Sequence, residues 1–224
     1  MDRSFVSRRS FSILSGLSGA AGVVLIIVSF AINNGPPSGA TSAQLIQFCQ
    51  EHYAAVLWGA WLQAVGASLI VLFAMALVHL AGAALRFAGW MTLWGATVLM
   101  TVNLIEITFY MSALFPDPPI LPSISLRVIN AVQHLYFIVA APALFLPLGI
   151  VLVNSRVLPR LFGYLALILA IAFAGLGIIF LLALTLPSAV TTFAAVQALW
   201  WLAAAITLIV CGGKTPNGVV EDKQ

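Results

Sequence analysis

Apolar residues fill this chain in long runs, neither alternating as in a half-buried strand nor forming the single stripe of a soluble amphipathic helix, and most polar residues gather between the runs. The runs cover about 11–32, 52–80, 87–114, 128–153, 161–184 and 189–210. Each has about the 20 residues that a helix needs to cross a hydrocarbon core of roughly 30 Å. Breaker residues separate them: Asn34-Gly35-Pro36-Pro37, Pro116-Asp117-Pro118-Pro119, Asn154-Ser155-Arg156, Leu186-Pro187-Ser188 and Gly212-Gly213-Lys214. An amphipathic turn through Gln44, Gln47 and Glu51 precedes the second run. The pattern predicts an all-α fold, a polytopic transmembrane bundle of six helices forming one domain over residues 1–224.

Two local features refine this expectation. In the first run, Ser15 with Gly19 and Ser18 with Gly22 stand four residues apart, a small-residue face on which a neighbouring helix can pack closely. In the fourth, Pro142 and Pro147 remove backbone donors and free the carbonyls of Ile138 and Ala143, which predicts a kink. A basic start followed by an apolar run also describes a signal peptide, with Ser29-Phe30-Ala31 as its cleavage site. The run exceeds the roughly 7–15 residues of a signal core and is read here as the first membrane helix.

Composition excludes the water-soluble alternatives. Only 7% of the 224 residues are charged, against about 25% in a soluble domain, so the chain cannot clothe itself in a water-facing surface. The lipid bilayer is therefore its first partner. The net charge of +3 comes from scattered basic residues with no run or stripe, so no nucleic-acid partner is expected. Six crossings place Arg3, Arg8, Arg9, Arg86, Arg156, Arg160, Lys214 and Lys223 on one side and Arg127 alone on the other. Positive charge stays in the cytoplasm, which predicts that both termini are cytoplasmic. Cys49 and Cys211 then fall at opposite ends of the membrane and cannot pair within one chain.

Candidate chemistry centres on Glu106, the charged residue well inside an apolar run. An ionisable group at the centre of a membrane helix costs roughly 2.5–3.5 kcal/mol even on the lenient insertion scale, so it marks a site and needs a partner. His134 is the expected partner. Helical spacing puts Asn103, Glu106 and Tyr110 on one face of the third span and Asn130, Gln133, His134 and Phe137 on one face of the fourth. His52, Gly59, Gln63 and Gly66 share a face of the second span, and Gln197 is the strong polar group of the sixth. At 1.5 Å per residue, Glu106 and His134 lie roughly 10–12 Å from the outer end and Gln63 and Gln197 about 15 Å, which predicts one polar pocket in the outer half. Polar side chains in membrane helices also serve as interhelical hydrogen bonds, and Gln63 or Gln197 alone reads more readily as such. The chain has no HExxH, CxxC, phosphate-binding glycine loop or GxSxG, so no catalytic residue, metal site or cofactor is assigned. An enzyme reading would use a haem held by His52 and His134, a metal held by Glu106 with His134 and His52, or His134 and Glu106 as acid and base.

The turn Asn154-Ser155-Arg156-Val157-Leu158-Pro159-Arg160-Leu161-Phe162-Gly163-Tyr164, with the span layout, resembles the uncharacterised six-helix inner-membrane proteins of bacteria grouped as a domain of unknown function. The resemblance implies a multi-pass protein of the bacterial inner membrane and transfers no catalytic residue. Three functions fit the residues: a polar pocket that binds or moves a small ligand or proton; a membrane-embedded redox or hydrolytic enzyme; and a structural subunit bound to other membrane subunits. The first is preferred, because a buried carboxyl is a costly way to hold helices together.

Overall fold

The structure, a computed structural model, describes residues 3–33, 35, 40–115, 120–182 and 187–211, with side chains outside 3–8, 181 and 187–190. Among the described residues there is no strand. The elements are α1 (Arg3–Ile32), α2 (Ser42–Glu51), α3 (Tyr53–Leu80), α4 (Phe87–Ala113), α5 (Leu121–Leu135), a π turn (Tyr136–Ala140), α6 (Ala141–Val153), α7 (Arg160–Leu181) and α8 (Pro187–Cys211). With α5, the π turn and α6 running on as one span, 6 helices are long and apolar enough to cross a membrane. Their outer faces agree with that: Leu17, Trp61, Ile168, Ile171 and Leu199 are each at least half exposed, as they are when lipid rather than water surrounds a bundle. The expected breaks at Asn34, Pro36-Pro37, Pro116-Asp117-Pro118-Pro119, Leu186 and Gly212-Gly213-Lys214 lie outside the described residues.

The apolar runs position the spans, and two boundaries differ from expectation. The fourth span starts at Leu121 rather than near 128, because Pro122 occupies the first turn of α5, where its missing N–H has no intrahelical acceptor to lose. The polar segment before the second span is a helix in its own right. In α2, Thr41 accepts from the Gln44 backbone N–H while the Gln44 side chain accepts from the Thr41 N–H, a reciprocal capping box. Leu45 and Cys49 bury its apolar face against Ala113, Leu126 and Ile129 of α4 and α5.

Neighbouring spans meet through small residues. Gly22 of α1 and Gly66 of α3 face each other at the crossing, and a Cβ on either would lie 2.8 Å from the other's carbonyl oxygen. Ser18 Oγ donates to the Leu69 carbonyl at 3.0 Å and Ser29 Oγ to the Gly59 carbonyl at 2.7 Å, so the small-residue face read in the first span packs on α3 and hydrogen-bonds to it as well.

The expected distortion at Pro142 takes the form of the π turn. Ala141 N–H donates to the Tyr136 carbonyl, five residues back, immediately before Pro142, whose missing N–H denies the Ile138 carbonyl its ordinary intrahelical donor. The carbonyl freed by Pro147, that of Ala143, lies against Gly95 of α4, where a side chain would overlap it.

Arg9, Arg86, Arg156 and Arg160 define a basic end of the bundle, and Arg127 lies toward the far end. Toward the basic end the core is aromatic. Trp201 packs on Phe145 at 5.3 Å and Phe73 at 5.9 Å, Phe145 stacks on Phe173 at 6.1 Å, and all four are fully buried. Trp200 donates its indole N–H to the Phe162 carbonyl at 3.1 Å.

Candidate functional site

Toward the far end the core changes character. Helical periodicity turns Asn103 and Glu106 of α4 inward, and α3 and α5 bring Gln63 and Gln133 to them. Gln63 Nε2 donates to Glu106 Oε2 at 2.8 Å and to Asn103 Oδ1 at 3.1 Å, and Gln133 Nε2 donates to Glu106 Oε1 at 2.9 Å. Both carboxylate oxygens therefore accept an amide donor, each from a different helix. Gln63 and Asn103 are buried, and Glu106 and Gln133 are half-buried. The amide arrangement is the one expected around an acceptor-only group, since glutamine can turn its NH₂ toward a carboxylate and keep its oxygen free for another donor.

Two features leave the cluster chemically unfinished. Asn103 Nδ2 is buried without a hydrogen-bond partner among the described residues. Such a donor is uncommon in a folded interior and marks a place where a further acceptor belongs. Among the described residues, moreover, no cationic side chain pairs with Glu106; amide dipoles are its hydrogen-bonding neighbours. Tyr110 and Tyr136 stand within electrostatic reach of the carboxylate. Tyr136, which the polar spacing of the fourth span did not single out, donates its hydroxyl to Gln197 Oε1 at 2.6 Å and joins α8 to the same layer. Its position three residues after Gln133 is the signal that marks it.

The expected direct pairing of Glu106 with His134 is not made. Gln133 and His134 are about 100° apart around their helix, so when one faces α4 the other faces elsewhere, and Gln133 is the one that does. His134 instead sets its ring edge-on to Phe180 of α7 at 5.1 Å, and its Nδ1 donates to the Asn130 carbonyl at 2.6 Å. Because a carbonyl can only accept, that bond places a proton on Nδ1. The Asn130 side chain is exposed. His52 is exposed at the junction of α2 and α3, stacked on Phe48 at 4.6 Å. Among the described residues no three His, Cys, Asp or Glu side chains converge, so Glu106, His134 and His52 do not form a metal-binding triad.

No protein-family model, no curated protein and no solved structure matches this chain. What the site can do therefore rests on its own geometry: a carboxyl held by two amides, an unpartnered amide donor beside it, and aromatic packing between this layer and the basic end of the bundle.

Proposed function

We propose that this chain is a multi-pass protein of the bacterial inner membrane with its basic end and both termini in the cytoplasm, and that Glu106 is the centre of an outward-opening polar site that binds or moves a proton or a small ligand. The observation that carries the proposal is the Glu106 carboxyl suspended between Gln63 and Gln133 with no cationic partner among the described residues. A carboxyl in such surroundings changes its charge by taking or releasing a proton, and glutamine amides accommodate both forms by rotating between donor and acceptor. Gln63, Asn103 and Gln133 line the site, and Tyr136 with Gln197 closes it toward α8. The test is a pH-dependent carboxyl signal in the folded protein that Glu106→Gln removes.

Orientation has its own test. In a variant lacking Cys49 and Cys211, a cysteine introduced at Ala40 or at the exposed Ile120 is expected to react with a membrane-impermeant thiol reagent added outside intact cells. A cysteine at Leu85 or Ser155 is expected to react only after the membrane is opened. The reverse pattern overturns the assignment of the outer half and, with it, the outward opening of the site.

The structural-subunit reading predicts the same hydrogen bonds with no titration. It takes the place of the site if Glu106 gives no pH-dependent signal and the protein co-purifies with fixed partners.

A further inference from the structure

A cavity lies at the basic end, apart from the Glu106 site. It is a cleft of about 280 Å³ between the α3–α4 turn and the last turn of α6, lined by Ala81, Ala83, Arg86, Ala88, Ile150, Val151, Asn154 and Ser155. Its lining is divided between polar groups, from Arg86, Asn154 and Ser155, and aliphatic side chains, the make-up of a site for an amphipathic ligand. Arg86 has no acidic partner among the described residues, so its guanidinium is free to bind an anion. Asn154 and Ser155 contribute the opposite character. The Asn154 amide donates to the Ile150 carbonyl at 2.9 Å and the Ser155 hydroxyl to the Leu152 carbonyl at 3.3 Å, which uses one of the two Asn154 amide hydrogens and the Ser155 donor and leaves Asn154 Oδ1 and Ser155 Oγ as acceptors. Leu85, Phe87 and Trp90, at 90%, 82% and 61% exposure, put an apolar and aromatic fringe beside the cleft, at the start of a span where the membrane interface is expected.

We propose that this cleft binds one phospholipid, its phosphate on Arg86, a headgroup ammonium or hydroxyl on Asn154 and Ser155, and its acyl chains along the aliphatic wall. An arginine fork matches phosphate geometry, and the acceptors select a headgroup that carries a donor, as phosphatidylethanolamine and phosphatidylglycerol do and phosphatidylcholine does not. The cleft's volume suits the headgroup and its phosphate ester, with the acyl chains continuing out of it along Leu85, Phe87 and Trp90.

The test is native mass spectrometry of the full chain in detergent, titrated separately with these three lipids, with diacylglycerol and with inorganic phosphate. One tightly held phosphatidylethanolamine or phosphatidylglycerol is expected. Arg86→Gln should weaken it by about tenfold, the loss expected for a charge-assisted hydrogen bond. Arg160→Gln, an exposed arginine of the same end that does not line the cleft, should leave it unchanged. Should Arg86→Gln fail to fold, Arg86→Lys decides, because it keeps the charge and loses the fork and is expected to weaken binding several-fold. Equal losses in the Arg86 and Arg160 variants, unchanged binding in Arg86→Lys when it is the deciding variant, or diacylglycerol binding as tightly, would overturn a specific site. Displacement of the lipid by inorganic phosphate at comparable concentration would make this a free-phosphate site, and phosphatidylcholine binding as tightly would remove the role of Asn154 and Ser155.

Discussion

Glu106→Leu is expected to lower the thermal stability of the detergent-solubilised protein well beyond Glu106→Gln. Leucine removes the acceptor on which the Gln133 amide and one of the two Gln63 bonds depend. A buried donor left without a partner costs about 1–3 kcal/mol. Gln63 retains Asn103 Oδ1, so its loss is partial, whereas among the described residues the Gln133 side chain makes one hydrogen bond, that to Glu106. The expected total is about 2–4 kcal/mol for leucine and less than about 1 kcal/mol for glutamine, which can offer an oxygen to either neighbour. The strandings fall on Gln63 and Gln133, not on the His134 ring, which has its own acceptor in the Asn130 carbonyl. Comparable melting of the leucine and glutamine variants would show that the two amides do not depend on the carboxyl.

A second large effect is expected where α4 meets α6. At Gly95 a Cβ overlaps the carbonyl oxygen and carbon of Ala143, all of them backbone atoms that no rotamer change can move. The helices must separate, and Gly95→Ala is expected to cost about 3 kcal/mol, the upper end for overpacking. Gly175 of α7 is the matched control, because a Cβ there meets nothing within 4 Å. Alanine gains up to about 1 kcal/mol of helix propensity at both positions, so Gly175→Ala should be neutral or stabilising. Equal effects on melting temperature at the two glycines would contradict the close approach at Gly95.

These two sites differ in how readable they were from sequence. The spans follow from apolar run length, and the packing of α1 on α3 from four-residue spacing of small residues, because lipid-embedded helices approach most closely where side chains are small. Pro142 and Pro147 flagged a distortion, yet periodicity says nothing of a five-residue π turn, nor that the Ala143 carbonyl would settle on Gly95. The fourth span begins at Leu121, ahead of the apolar run from about 128, because Pro122 in the first turn of α5 costs that helix nothing. Glu106 was legible as a centre, as were Gln63, Asn103 and Gln133 as neighbours, since depth and face can be counted along a helix. The choice between Gln133 and His134 was not. It depends on how α5 is rotated about its own axis, which the packing of α5 on α4 and α2 decides and which neighbouring positions 100° apart leave open.

The measurement that bears most directly on the Glu106 site is infrared difference spectroscopy of the folded protein between acidic and alkaline buffer, wild type against Glu106→Gln. The account predicts a carboxyl carbonyl band that is present in acid, gives way to carboxylate bands in alkali, and is missing from the glutamine variant while the amide bands and melting behaviour of that variant stay those of a folded bundle. A wild-type difference spectrum that Glu106→Gln leaves unaltered would mean that Glu106 exchanges no proton, and the four-residue cluster would then be only the hydrogen bonding that holds α3, α4 and α5 together.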